Sequence, residues 1–286
     1  VVRKVALVQI NSLKKSYRSG VRALKKISFD LQDNEVLALL GPNGAGKTTA
    51  LKSIMGIIKS GGEILFKSRP LTTEDALQNI VFVPEEKNLY DHFSAKQLSK
   101  IAKQLTPKFD SSKFDCYMEV FELNKNQKFS HLSNGMKTLV YLSLAFSTDS
   151  LIYILDEPTW GLDPLMRNTV LREIRNLTFN GKSVIYTSHI LSEVEKTADR
   201  IIILNKGKIT EFDSMDEIKL KYAALSSSQD LPSYISKKRV SESDFLYIVR
   251  SSELTMLKNS YPSARQEEIS FEDIFEALVR RDSDVD

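Results

Sequence analysis

EVLALLGPNGAGKTTALKSIMG, residues 35–56, decides the reading of this chain. A short apolar run leads into a glycine-rich turn and then into an apolar-periodic segment, so the pattern predicts strand, loop and helix in succession. Residues 41–48 fit G-x-x-x-x-G-K-[ST], the spacing of a phosphate-binding loop. Glycines let backbone N–H groups wrap a polyphosphate, and a helix starting at the loop adds the positive end of its dipole. The candidate phosphate-binding residues are therefore Gly41, Pro42, Asn43, Gly44, Ala45, Gly46, Lys47, Thr48 and Thr49. Lys47 is expected to reach the β- and γ-phosphates, and Thr48 to ligate Mg²⁺. A chance glycine-rich turn would rarely fall at a strand-to-helix junction.

Composition sets the outer bounds. With 286 residues, 42% hydrophobic and 27% charged, the chain has the make-up of a soluble globular protein of one large or two small domains. One cysteine, Cys116, allows no internal disulfide and fits a reducing, cytosolic setting. The amino end shows no signal-peptide pattern, and no apolar run reaches the roughly 18 residues that span a bilayer. The nearest, residues 139–155, is broken by Thr148, Asp149 and Ser150. Work at a membrane would need a spanning partner. Net charge is +3, but residues 1–70 hold thirteen Lys and Arg against four Asp and Glu. Such a basic lobe could concentrate an anionic nucleotide, or be only a solvated face. Without interleaved base-stacking residues it predicts no nucleic-acid site.

Along the chain, residues 5–13 and 27–31 read as strands joined by a basic turn with Gly20. Tyr17, in KKSY, follows the first of them, where a ring could stack on adenine, although such a tyrosine alone more often packs on a strand. Residues 63–66 and 80–83 are further strands, the second closed by Pro84, Glu85 and Glu86. From Ser94, a good N-cap, to about Phe146 the pattern turns helical, a helical insertion between strands. Residues 151–155 form an apolar strand that delivers Asp156 and Glu157 at its carboxyl end, where open α/β sheets put ligands. Asp163 and Pro164 read as N-cap and first position of a helix reaching Phe179, with Gly181 ending it. Residues 183–187 make another buried strand before Ser188 and His189, and residues 200–204 and 208–212 a hairpin. The Ala/Ser-rich residues 223–232 are expected to be a linker, followed by a strand at 245–250, a capped amphipathic helix at 270–280 and a disordered end, RDSDVD.

Asp156 can hold Mg²⁺, and Glu157 can polarise a water in line with the γ-phosphate. Paired acids are often only surface residues; their place after a wholly apolar strand, downstream of a phosphate loop, gives these a task. LSNGM at residues 132–136, GLDP with Asp163, YTSH with His189, Tyr17 and the VPEE turn join the phosphate loop and ILDEP. Together, in order and spacing over residues 6–220, they resemble the nucleotide-binding subunit of an ABC (ATP-binding cassette) transporter. LSNGM discriminates, since many phosphate-loop proteins share the other two motifs.

The resemblance implies an α/β phosphate-loop NTPase cassette with a RecA-like parallel-sheet core, an antiparallel β subdomain, a helical signature subdomain near residues 86–147 and a small C-terminal extension. The expected division is 1–222 for the ATPase domain, 223–232 for the linker and 233–286 for the extension. It implies head-to-tail pairing, as homodimer or heterodimer, in which Ser133 and the Gly135 N–H of one chain touch the γ-phosphate held by the other. Asp163 would link the two sites, His189 would bond the γ-phosphate, Tyr17 would stack on adenine, and Glu85 would stand near Mg²⁺ where the family usually has glutamine. Asn134 and Met136 also depart from LSGGQ; Asn tolerates a left-handed backbone, so the turn survives. Since Lys47, Asp156, Glu157 and His189 all remain, a competent ATPase is expected. It would bind ATP and Mg²⁺ at the cytoplasmic face of a membrane and drive export of a peptide, drug or similar substrate through a transmembrane permease subunit. The rivals are a soluble ABC ATPase acting on ribosomes or DNA, and a nucleotide-binding module that does not hydrolyse.

Overall fold

The computed structural model describes residues 6–87, 92–241 and 243–280. Strands β1 (Val8–Ser16) and β2 (Arg22–Leu31) form the expected antiparallel pair, longer than their apolar clusters because lysine-rich exposed positions extend both. β3 (Val36–Leu40) is buried at every position and runs through the phosphate loop into α1 (Lys47–Ile54). β4 (Gly61–Phe66) and β5 (Arg69–Pro70) precede α2 (Thr73–Asn79), whose Thr72 and Asp75 form a capping box. After β6 (Ile80–Val83) the chain leaves the sheet for α3 (Ala95–Leu105), α4 (Ser111–Val120) and α5 (Asn134–Phe146). Ser94 caps α3 with Gln97 answering, as the sequence predicts, and Asp110 caps α4.

The chain returns as β7 (Ile152–Leu155), α6 (Pro164–Phe179), β8 (Ser183–Thr187), α7 (Leu191–Thr197) and the hairpin β9 (Arg200–Asn205) with β10 (Lys208–Ser214). It ends in α8 (Met215–Lys221), β11 (Tyr222–Ser227), β12 (Ser236–Arg239), β13 (Phe245–Arg250), α9 (Leu254–Ser260), β14 (Arg265–Glu267) and α10 (Phe271–Arg280). No described helix is long and apolar enough to cross a membrane.

Three sheets result. The central six-stranded one has the order β10-β9-β3-β8-β7-β6, parallel except for β10. Its strands β3, β7, β8 and β9 are buried on both faces and divide two cores by alternation. Val36, Ala38, Leu40, Tyr186 and Ile203 face one, with α5, α6 and α10; Leu37, Leu39, Ile185 and Leu204 face the other, with α1 and the sheet β2-β1-β4-β5. The helical insertion keeps a smaller core of its own around Leu98, Phe114, Phe129 and Val140. At the amino end of β3, Arg200 binds Glu35 and Asp30, with 3.0 Å contacts from Nη2 to each carboxylate, and lies against the Phe212 ring. That network ties β2, β9 and β10 together.

One expectation fails. Residues 223–232 are not a linker throughout: Tyr222–Ser227 is the buried strand β11, flanked by β13 and β14 in the order β12-β13-β11-β14. Alanines serve there because both faces are covered. Ala223 and Leu225 meet Tyr247 and Leu257 in a small core, while Ala224 and Ile248 face the main one. The C-terminal segment also shares the main core through Phe271, Ile274, Ala277 and Leu278 of α10, and Asn205 Nδ2 donates to the Val279 carbonyl at 2.8 Å. Val5, within the first expected strand, the NLY of the VPEEKNLY turn, and the expected disordered end 281–286 lie outside the described residues.

Because α10 completes the main core, Phe271→Ala should destabilise the whole chain by about 3–5 kcal/mol. Urea unfolding followed by the single tryptophan, Trp160, and by circular dichroism should shift together. An unchanged Trp160 midpoint would show that α10 is not part of the cooperative unit.

Candidate functional site

The loop after β3 turns sharply because glycine alone fits at two of its positions. A Cβ at Gly41 would lie 2.2 Å from the Leu204 carbonyl oxygen, and one at Gly46, where φ is 109°, would lie 2.6 Å from that of Ala23. No side chain caps α1, and none caps α7 or α9, whereas Thr72, Ser94, Asp110, Ser133, Asp163 and Ser214 each cap the helix they precede. The N–H groups at the start of α1 are thus left for an anion. Lys47 is buried and curls over the loop, its Nζ donating to the carbonyls of Gly41 at 2.6 Å and Pro42 at 3.3 Å.

A cavity of about 300 Å³ opens here, lined by Tyr17, Val21, Ala23, Pro42, Asn43, Gly44, Ala45, Gly46, Lys47, Thr48, Thr49, Glu85, Asp156 and Glu157. Tyr17 stands just past β1, half-exposed, with its hydroxyl 3.3 Å from Thr49 Oγ1 and the Lys15 ammonium 5.2 Å from its ring centre. The fold therefore brings Tyr17, the loop, Glu85, Asp156 and Glu157 into one place. It does not bring Ser133, Gly135 or Asp163 to this cavity. Ser133 caps α5 through the Met136 N–H at 3.2 Å, and Asp163 caps α6 through the N–H groups of Leu165 and Met166, both at 3.0 Å.

Beside the loop, the ends of β7 and β8 form a chain of bonds. Thr187 Oγ1 donates to Asp156 Oδ1 at 2.6 Å and accepts the Glu157 N–H at 2.8 Å. Glu157 Oε2 lies 2.9 Å from Nδ1 of His189, whose ring is half-exposed. The Glu157 backbone is left-handed, with φ of 49°, an uncommon conformation for a side chain of this size. Burial pushes the Glu157 carboxyl above the ordinary range; His189 and Lys47 pull it back, and Asp156 adds to the rise. A buried carboxylate held by an imidazole beside a phosphate loop can take a proton from water.

Could the site hold a divalent cation? Asp156 Oδ2 is buried and makes no hydrogen bond. No cluster of three His, Cys, Asp or Glu converges among the described residues. The unpartnered Asp156 oxygen suits Mg²⁺, which takes one or two carboxylates with phosphate and water rather than a full protein cage. Thr48, Asp156 and Glu85 line the one cavity and fit that role.

Two residues of this region escaped the sequence reading. Thr187 looked like the polar end of an apolar strand, and its position in SVIYTSH was the only signal. Lys87, directly after the VPEE turn, carries no signal in the sequence. It is half-buried, its ammonium donating to the carbonyls of Pro84 and Glu85 and lying 6.0 Å from the Tyr141 ring centre, and burial lowers its pKa to about 8 against the pull of Asp156, Glu85 and Glu157.

Comparison with known proteins agrees with this geometry. The family model described as ABC transporter matches residues 24–160. The ABC transporter ATP-binding protein YtrB of Bacillus subtilis is 32% identical over 227 residues, 78% of this chain and 77% of that protein. The SkfA peptide export ATP-binding protein SkfE of the same organism is 34% identical over 211 residues, 72% of this chain and 88% of that protein. A solved ATP-binding subunit of an ABC transporter superposes with a TM-score of 0.68 at 26% identity, covering 74% of this chain and 92% of that one. A dimeric cassette in a post-hydrolysis state with ADP and Pi has the same fold, with a TM-score of 0.66 at 23% identity over 73% of this chain and 98% of that one. The loop, the paired acids and these likenesses lead to one conclusion: the chain belongs to the ABC transporter family, as an ATP-binding subunit with ATPase activity.

Proposed function

We propose that this protein hydrolyses ATP at sites shared between two cassettes and so drives export of a peptide, drug or similar molecule through a separate transmembrane permease, working peripherally at the cytoplasmic face of the membrane. One observation carries the hydrolytic part: the buried Glu157 carboxylate at the phosphate cavity, bonded to His189 and fixed at its backbone by Thr187. In this reading the loop N–H groups and Lys47 hold the phosphates, and Tyr17 stacks on the base. Glu157 takes a proton from the attacking water, His189 orients Glu157 and reaches the γ-phosphate, and ADP and phosphate leave. Mg²⁺, held by Thr48 and Asp156 with Glu85 beside them, would supply positive charge to the phosphate oxygens when bound.

Sharing is supported by the separation of parts within one chain. Ser133, Gly135 and Asp163 lie off the cavity that Lys47 lines, and the related post-hydrolysis cassette is a dimer. The second cassette is either an identical chain or a paralogue. Export is supported by SkfE, which is more similar to this chain than the carnitine transport ATP-binding protein OpuCA of Listeria monocytogenes, at 28% identity. Capture of the chain from solubilised membranes, with identification of its companion, tests the partner; recovery with ribosomes or DNA instead would end the transporter reading.

Glu157→Gln should keep ATP binding and lower phosphate release by about a hundredfold or more. It should also trap an ATP-bound dimer, seen by size-exclusion chromatography. Trp160, half-exposed in the loop after Glu157, should shift its emission to the blue as that dimer forms. Unchanged turnover would remove Glu157 from its role.

Ser133→Ala and Lys47→Ala should each be nearly inactive alone. Mixed together, they should regain hydrolysis, because a mixed dimer contains one complete site. Self-contained sites would leave the mixture at the average of two damaged proteins.

A further inference from the structure

The residues between Glu157 and Asp163 make no regular element, yet they carry the proposed base at one end. Their backbone closes on itself through Trp160 N–H to the Glu157 carbonyl and Leu162 N–H to the Thr159 carbonyl, both at 3.2 Å. Such a short turn needs anchors outside itself to hold Glu157 in its left-handed conformation. The structure supplies three. Thr159, fully buried, donates its hydroxyl to Glu193 Oε2 at 2.7 Å. Arg167, in the first turn of α6, donates through Nε to the Leu162 carbonyl at 2.8 Å while its Nη1 lies 3.8 Å from Glu193 Oε1. Gly161 packs backbone to backbone on the first turn of α5, where a Cβ on Gly135 would meet the Gly161 oxygen at 2.5 Å.

Glu193 is the unexpected member. It is a buried carboxylate in the first turn of α7, four residues beyond His189, and its Oε1 has no hydrogen bond. A carboxylate kept there against the cost of desolvation serves poorly as packing alone, since an apolar residue of similar size would avoid that cost. Its two oxygens face the two sides of the loop: Thr159 from within it, and Arg167, which holds Leu162 at its far end. The element that follows His189 thereby grips the segment that follows Glu157.

We propose that Thr159, Glu193 and Arg167 form a clamp that positions Glu157 and His189 relative to one another for hydrolysis. None of the three lines the phosphate cavity, so the clamp acts through the pair rather than on nucleotide. The inference rests on the reading of Glu157 and His189 as the hydrolytic pair.

Steady-state kinetics of the full chain separate positioning from stability. Thr159→Val and Glu193→Leu should each lower kcat by about tenfold or more while ATP KM and directly measured ATP affinity stay within about twofold. Thr159→Ser, which keeps the hydroxyl, should retain kcat. The double variant should be no slower than the slower single one, because Glu193→Leu already removes the oxygen to which Thr159 donates. Glu35→Gln, in the buried Arg200 network at the opposite end of β3, should lower Tm yet leave kcat unchanged. The clamp is overturned if Thr159→Val turns over like wild type, if ATP affinity falls in step with kcat, if Thr159→Ser is as slow as Thr159→Val, or if the two losses multiply. Glu157→Gln run alongside distinguishes the failures: an active Glu157→Gln sinks the hydrolytic reading, whereas an inactive one beside a fully active Thr159→Val sinks the clamp alone.

Discussion

The parallel register of β3, β8 and β7 governs everything at the phosphate end of the sheet. Leu155 pairs with Tyr186, so Asp156 and Thr187 emerge side by side, and a single hydroxyl can serve both Asp156 and the Glu157 N–H. Leu39 pairs with Thr187 on the other side, so the phosphate loop begins two residues past the same level. A slip of one residue in either pairing would turn these side chains to the opposite face of the sheet and part the loop from the acids. The register is held by burial, since each strand is apolar on both faces and a slip would misplace every contact in two cores.

Against that rigid frame the site breaks several local rules. Glu157 occupies a left-handed backbone conformation, a strain of about 1–3 kcal/mol. Asp156 Oδ2 and Glu193 Oε1 are buried without hydrogen bonds, each at a cost of about 1–3 kcal/mol. The surrounding cores offset such costs, and their clustering between the ends of β7 and α7 follows the tendency of proteins to concentrate local conflict where chemistry is done. Charge is balanced in the same small space: Lys47 and His189 oppose the burial that raises the Glu157 carboxyl, and Lys87 is held half-buried beside Glu85.

α5 joins the remaining parts. Leu139 and Leu142 pack into the main core and Val140 into that of the helical insertion, so one helix belongs to both. Its first turn bears Ser133 and Gly135 and touches Gly161, which lies in the segment following Glu157. Packed backbone thus connects the insertion directly to that segment. At the other end, α10 closes the main core, which makes the C-terminal sheet continuous with the ATPase fold rather than an appended tail.

Strand, loop and helix around Lys47, the acids after an apolar strand, the caps at Ser94 and Asp163 and the family itself were legible in the sequence, because each depends on neighbours a few residues away or on a motif with fixed spacing. Residues 223–232 were misread for the reverse reason: alanine and serine suit a flexible linker as well as a strand covered on both faces, and only the packing partners, Tyr247, Leu257 and Ile248, distinguish the two. Thr187, Lys87 and Glu193 are ordinary residues in one dimension. Their surroundings come from strands and helices far away in sequence, and a hydrogen bond such as Thr159 to Glu193 exists only once β7, β8 and α7 are assembled. Local chemistry determined which elements form and what they can bind; the distances at which acid, imidazole and hydroxyl meet were decided by the tertiary fold, because burial and register act between segments that the sequence keeps apart.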